Sequence, residues 1–523
     1  MGSKRRFVRW VFGIVLLSAC SSAETPEGQV SAVDSGISED AAILTPKPGP
    51  EPRINGPKVF GSRPGRPFVY RIPCTGERPI TFSVEGLPEG LELDAESGII
   101  TGKTPPKPGE YGMTLRASNT HGDASRIFTL VAGDTLALTP PMGWNSWYIH
   151  YDRVTDEVML QAADAMISSG MADHGYMYVN IDDCWMVEPG SENPELGGEP
   201  RDTNGAIRSN GRFPDMNALT DHIHSKGLRA GLYTSPGPLT CQRFQGSHQH
   251  EEIDARRFAE WGFDFLKYDW CTYREVATGE GLERFQRPYR LMGDILKESD
   301  RDIVYNLCQY GMGDVWNWGG EVGGNCWRTT GDLGLEKAEA LPGFYYIGFK
   351  NAEHYESAQP GQWNDPDYIL IGWVGDAHEQ AVGEPTKLTP NEQYSYMSMW
   401  SLMAAPLIFS GDMAKLDEFT LNVLCNAEVI DVDQDPLGKQ ARIIRKTEEE
   451  MVLAKPLEDG SLAVGLFNLG EEDRELQVSW AELGITGERT TRDLWRQRDV
   501  GRHDGEFSSN IGRHGVFFFR LIE

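Results

Sequence analysis

Six aspartates fall in four short motifs, Asp182-Asp183, Lys267-Tyr268-Asp269, Arg328 with Asp332, and Asn364-Asp365-Pro366-Asp367. Tyr233 and six tryptophans, Trp144, Trp147, Trp185, Trp270, Trp327 and Trp363, lie in or near the same stretches. Carboxylates and basic side chains hydrogen-bond hydroxyl groups, and indole faces pack on the apolar C–H face of a pyranose, so the inventory suits a sugar ligand. Cleavage of a glycosidic bond needs two carboxyl groups: one protonates the leaving oxygen, and the other attacks the anomeric carbon or activates water. Six candidates exceed two roles. Spacing alone does not choose among Asp182, Asp183, Asp269, Asp332, Asp365 and Asp367.

Each motif closes a short apolar run. Eight strand-like runs, at 142–147, 176–183, 228–235, 263–270, 303–308, 326–332, 362–370 and 404–411, alternate with stretches of helical apolar spacing such as 155–170, 255–262 and 286–299. This alternation predicts an α/β fold, a (β/α)8 TIM barrel over 135–434, with a doubly wound open sheet as the alternative. In a barrel the C-terminal strand ends open into the site, so polar residues there face a ligand. Asn145-Ser146-Trp147 ends the first run, Asp182-Asp183 the second and Tyr233-Thr234-Ser235 the third. Asp269 ends the fourth, Cys308-Gln309 the fifth, Arg328 and Asp332 the sixth, and Asp365 with Asp367 the seventh. Helix capping does not account for so many polar ends at once.

The flanks read differently. Residues 1–20 carry Lys4, Arg5, Arg6 and Arg9 before an apolar run, the pattern of a targeting segment, too short to span a bilayer. Leu17-Ser18-Ala19-Cys20 resembles a bacterial lipobox, which implies acylation of Cys20 and a membrane anchor, or plain secretion if Cys20 is not acylated. Residues 21–57, rich in Ser, Glu, Pro and Gly without periodicity, read as a flexible linker. Short alternating runs over 58–134 predict an N-terminal immunoglobulin-like β-sandwich; its Gly86-Leu87-Pro88-Glu89-Gly90-Leu91 stretch is similar to a bacterial immunoglobulin-like module. Further short runs over 435–523 predict a C-terminal antiparallel β domain. A hydrophobic fraction of 39% excludes wholesale disorder, and a net charge of −29 is the wrong sign for nucleic acid.

In combination, Pro141-Met142-Gly143-Trp144-Asn145-Ser146-Trp147, Asn180-Ile181-Asp182-Asp183-Cys184-Trp185, Gly231-Leu232-Tyr233, Phe265-Leu266-Lys267-Tyr268-Asp269, Trp327 through Asp332 and Trp363 through Asp367 resemble glycoside hydrolase family 27, the α-galactosidases. The resemblance covers the barrel and extends to the C-terminal domain. It implies a retaining hydrolase without cofactor or metal, acting on α-galactosides, with Asp269 as nucleophile and Asp332 as acid/base. It further implies a galactose pocket lined by Trp144, Asp182, Asp183, Tyr233, Lys267, Cys308, Gln309, Arg328 and Asp365, and disulfides Cys241–Cys271 and Cys308–Cys326. No cysteine lies where the family's partner of Cys184 would, so Cys184 is expected to be a buried thiol.

Where family members acting on plain galactose commonly place Glu after the fifth-strand Cys, this chain has Gln309-Tyr310, a bulky polar pair that leaves less room for an acetamido group. The alternatives are an α-N-acetylgalactosaminidase or other α-glycosidase on the same scaffold, or a non-catalytic glycan-binding surface protein. Charge logic predicts that Asp332 is held protonated near neutral pH while Asp269 stays ionised beside Lys267. His222 and His224 do not sit at a strand end, which argues against a zinc site.

Overall fold

The computed structural model describes residues 43–333, 341–375 and 383–523. The segment 1–20 with Cys20, and the linker up to residue 42, lie outside them.

Eight parallel strands form the centre: β1 (Met142–Asn145), β2 (Tyr178–Asn180), β3 (Arg229–Thr234), β4 (Phe265–Asp269), β5 (Val304–Cys308), β6 (Cys326–Arg328), β7 (Trp363–Asp365) and β8 (Leu407–Phe409). From β1 to β7 each strand pairs with its sequence neighbour, and β1 also pairs with β8. Closure between the seventh and eighth strands comes from a parallel bridge, Ile369 to Phe409, just past β7. The eight runs expected from the sequence are therefore all present, as a closed barrel and not an open sheet, each strand shorter than its apolar run.

Helices cover the barrel. Thr155 and Asp215 cap α1 (Asp156–Ser168) and α2 (Met216–Ser225), their side chains accepting from backbone N–H groups that have no intrahelical partner. The helix α3 (Pro390–Leu402) starts with a capping box, Thr389 and Glu392, and Pro390 in the first turn. It is buried on nearly every side because it lies between the barrel and the C-terminal domain, where Ser395 Oγ donates to His514 O at 2.8 Å and Trp495 Nε1 to Ser398 Oγ at 2.9 Å. That domain packs a six-stranded antiparallel sheet and a two-stranded one around Val464, Leu466, Trp480, Phe507 and Phe519.

The immunoglobulin-like domain pairs a four-stranded and a three-stranded sheet over Phe68, Tyr70, Phe82, Leu115 and Phe128. It docks on the N-terminal face of the barrel. Arg63 Nε lies 2.7 Å from Asp302 Oδ1, just before β5, Ser62 Oγ donates to Asp302 Oδ2 at 2.7 Å, and Arg229, at the start of β3, donates to Val69 O at 3.0 Å.

One expectation is corrected. The linker does not run to residue 57, because residues 43–57 are held on the globule. Thr45 N donates to Asn422 Oδ1 at 2.7 Å, Leu44 N donates to Tyr394 OH at 3.0 Å, and strand Arg53–Ile54 pairs with Cys74–Thr75. Pro46, Pro48, Pro50 and Pro52 erase any periodicity, yet they also lower the entropy lost when the segment docks.

Candidate active site

Register brings the motifs together. Side chains alternate across a strand, so Lys267 and Asp269 share the inner face of β4 while Tyr268 points outward to Tyr289 and Tyr305. Tyr233 stands opposite Lys267 on β3, Cys308 opposite Asp269 on β5, and Arg328 on β6 opposite Asp365 on β7. Gly231 on β3 has to be glycine: a Cβ there would sit 2.0 Å from Asn180 Oδ1 and 3.0 Å from the Phe265 side chain.

Asp269 is 5% exposed. Tyr310 OH donates to its Oδ1 at 2.7 Å and Tyr233 OH to its Oδ2 at 3.1 Å. Beside it lies the disulfide Cys241–Cys271, as expected, with Cys271 Sγ 3.1 Å from the Tyr233 hydroxyl. Burial pushes the Asp269 carboxyl up to about 6, opposed by the Lys267 ammonium and the Tyr310 hydrogen bond.

Asp332 sits nearer solvent, its side chain 28% exposed, with Oδ1 3.0 Å from the Arg328 guanidinium. Arg328 also lies 3.1 Å from Asp367 Oδ2 and donates to Gly331 O at 2.7 Å, so strand six and the loop after strand seven grip the segment that carries Asp332. Tyr148 OH adds a 2.7 Å hydrogen bond to Asp367. Asp269 is expected to stay ionised beside Lys267; burial outweighs that cation and lifts the carboxyl, which leaves it ionised only above about pH 6.

A second cluster lies across the pocket. Lys267 Nζ is 2.8 Å from Asp182 Oδ2, which Tyr368 OH also approaches at 3.3 Å, and the ammonium is 5.1 Å from the Tyr368 ring centre and 6.0 Å from that of Trp147. Asp183 accepts from Cys184 N and Gln242 N, and burial pushes its carboxyl up to about 7. Gln309, 1% exposed, follows β5, and neither of its amide atoms has a hydrogen-bond partner among the described residues.

Two expected lining residues serve from beneath. Trp144 is fully buried with its indole N–H on Gly411 O at 2.8 Å, and Asp365 spends its oxygens on Asn306 Nδ2 and Asp367 N. Asp367, one of the strand-end aspartates, holds Arg328 in place, and Tyr148, which nothing local in the sequence marks, holds Asp367 in turn. The expected Cys308–Cys326 bridge is absent. Both are free buried thiols, because Cys326 stands opposite Asn306 and Cys308 lies two residues further along. At about 3.3 Å per residue and about 4.8 Å between strands, that offset puts the Cα atoms roughly 8 Å apart, beyond disulfide reach. Cys184 is the buried thiol expected, and His222 and His224 are taken up by Asp164 and Asp264.

Asp269, Asp332, the buried Lys267 and the gripped Arg328 gather at the C-terminal end of a closed parallel barrel, the arrangement by which a glycoside hydrolase works. The profile of the family described as Alpha galactosidase A matches residues 139–435, and the chain belongs to this α-galactosidase family. Profiles of the Alpha galactosidase C-terminal beta sandwich domain and of an Ig domain match 448–521 and 51–133. An α-galactosidase of Cyamopsis tetragonoloba is 37% identical over 420 residues, covering 79% of this chain and 94% of its own. Alpha-galactosidase A of Cellvibrio japonicus is 34% identical, covering 74% and 93%. Among solved structures, α-galactosidase I of Mortierella vinacea aligns with a TM-score of 0.67 at 28% identity, covering 75% of this chain and 99% of its own. A Bacteroides fragilis protein provisionally assigned as an α-galactosidase/melibiase aligns with a TM-score of 0.82 at 34% identity, covering 92% and 100%.

Proposed function

We propose that the protein removes terminal, non-reducing α-D-galactosyl residues from oligo- or polysaccharides by double displacement, with Asp269 as nucleophile and Asp332 as acid/base. The observation that carries this assignment is the contrast between the two carboxyls: Asp269 buried between two tyrosine hydroxyls, Asp332 partly exposed and gripped by Arg328. Asp269 attacks the anomeric carbon as Asp332 protonates the departing oxygen; Asp332 then takes a proton from the water that releases galactose with its configuration retained. Asp182 and Asp183 receive the O4 and O6 hydroxyls, and Lys267 contacts the O3/O4 side of the ring. Gln309 presents an unpaired buried amide, which costs about 1–3 kcal/mol until a ligand hydroxyl satisfies it and so favours the free 2-hydroxyl of galactose.

The test is a panel of aryl α-galactoside, α-N-acetylgalactosaminide, α-glucoside and β-L-arabinopyranoside, with Asp269→Asn alongside. Turnover of the α-galactoside that vanishes in the variant supports the assignment. Preference for the acetamido sugar overturns the Gln309 argument, and no turnover of any substrate leaves a glycan-binding protein.

We also propose export and membrane attachment through an acylated Cys20, supported by Leu17-Ser18-Ala19-Cys20 after a basic and apolar leader. Labelled palmitate should enter the protein and fail to enter Cys20→Ser.

A further inference from the structure

We propose that Tyr310 is a positioning residue for the nucleophile, holding Oδ1 of Asp269 through both halves of the double displacement; the inference rests on the nucleophile assignment above. Tyr310 OH donates to that oxygen at 2.7 Å, and Tyr233 takes the other at 3.1 Å, so the carboxylate has no free rotation about its last bond. Donors to a carboxylate are roughly twice as strong as neutral hydrogen bonds.

The turn that delivers Tyr310 is unusual. Tyr310 has φ 63°, a left-handed conformation rare for a bulky residue, and Gly311, Gly313 and Asp314 follow at 83°, 66° and 55°. A Cβ on Gly311 would sit 2.4 Å from Thr329 O, in the strand-six segment that leads to Asp332. The turn is therefore wedged against the acid/base arm while its tyrosine reaches the nucleophile. The Arg328 guanidinium lies 6.0 Å from the Tyr310 ring centre and closes the other side.

The hydrogen bond bears on the two steps unequally. In the first, an Asp269 oxygen forms a bond to the anomeric carbon as the bond to the aglycone oxygen breaks, its electron pair leaving with that oxygen and the Asp332 proton joining it. In the second, water bonds to the anomeric carbon, its proton passes to Asp332, and the bond to Asp269 breaks with its electron pair returning to the carboxylate. Here the carboxylate is the leaving group, and the Tyr310 O–H stabilises the charge it regains. Loss of the donor slows the second step more than the first.

The test is Tyr310→Phe on an activated aryl α-galactoside. A 10- to 100-fold fall in kcat is expected, with KM falling in step, a pre-steady-state burst of one phenol per site, and an acid limb of the pH profile displaced to higher pH. A merely structural role would move neither the burst nor the limb. Gly311→Ala, which pushes the turn off Thr329, should act in the same direction. If Tyr310→Phe fails to fold, 3,5-difluorotyrosine at 310 keeps the shape with a stronger donor and should move the acid limb to lower pH. An unchanged kcat, burst and limb in Tyr310→Phe, or an unmoved limb in the fluorinated protein, overturns the proposal. Asp269→Asn separates the two readings: a dead Asp269→Asn beside an unchanged Tyr310→Phe sinks only the role of Tyr310, whereas an active Asp269→Asn sinks the nucleophile assignment itself.

Discussion

Asp269 has to be a carboxylate to attack, yet its surroundings favour the acid. Its pKa of about 6 in the free enzyme predicts an acid limb in kcat/KM for an aryl galactoside that rises with unit slope and bends at about pH 6, which a pH profile measures directly. The same displacement is a stability statement. Between the unfolded carboxyl value of about 3.9 and the folded value, the folded chain binds more protons than the unfolded one, so stability falls as pH rises through that window. Asp269→Asn removes the buried charge and should be more stable than the parent above pH 6, by an upper bound of about 3 kcal/mol, with no gain at pH 4. Thermal melts at the two pH values check the sign; equal gains at both would contradict it. Arg328 is the other residue on which the site turns. Arg328→Ala leaves Asp367 fully buried without its cation and lets go of Asp332, so a loss of folding stability of about 3–5 kcal/mol should accompany the loss of activity.

The strands explain why so much of the site could be read in the sequence. Each catalytic or binding residue ends a run of apolar residues that must fill a barrel, and the period of two fixes Lys267 and Asp269 on one face with Tyr268 on the other. Apolar runs and polar ends are local features, and the eight strands and the strand-end aspartates followed from them. Register between strands is not local. Nothing in Cys308 and Cys326 themselves reveals that β5 and β6 are offset so that one sulfur accepts from Asn306 Nδ2 at 3.1 Å and the other lies 3.9 Å from an Arg328 nitrogen. The left-handed turn at Tyr310 was equally hidden, since it depends on a neighbouring loop. Alkylation of the denatured, unreduced protein should therefore label Cys74, Cys184, Cys308, Cys326 and Cys425 and spare Cys241 and Cys271. On β3, Gly231→Ala would push into Asn180 between two strands, and expression of soluble enzyme should fall sharply.

On the scale of the whole molecule, the domains are fastened by a few buried polar joints. Arg63→Ala should cost about 3–5 kcal/mol by leaving Asp302 buried without its cation, and because that joint lies at the N-terminal barrel face, KM for small substrates should hardly change. The strap at residues 43–57 joins the barrel flank to the C-terminal domain through one side chain. Asn426 caps the helix Ala427–Asp433, donates to Thr45 Oγ1 at 3.1 Å, and reaches Leu494 O and Trp495 O in the C-terminal domain at 3.1 Å. Tension applied to the chain at its N-terminal side therefore passes first into Asn422, Asn426 and Tyr394 on the barrel flank, and next into the short pairing of Arg53–Ile54 with Cys74–Thr75. The eight barrel strands lie off that line of load. A pull on this end would peel a strap and strain a sandwich before it disturbed the spacing of the two carboxyls.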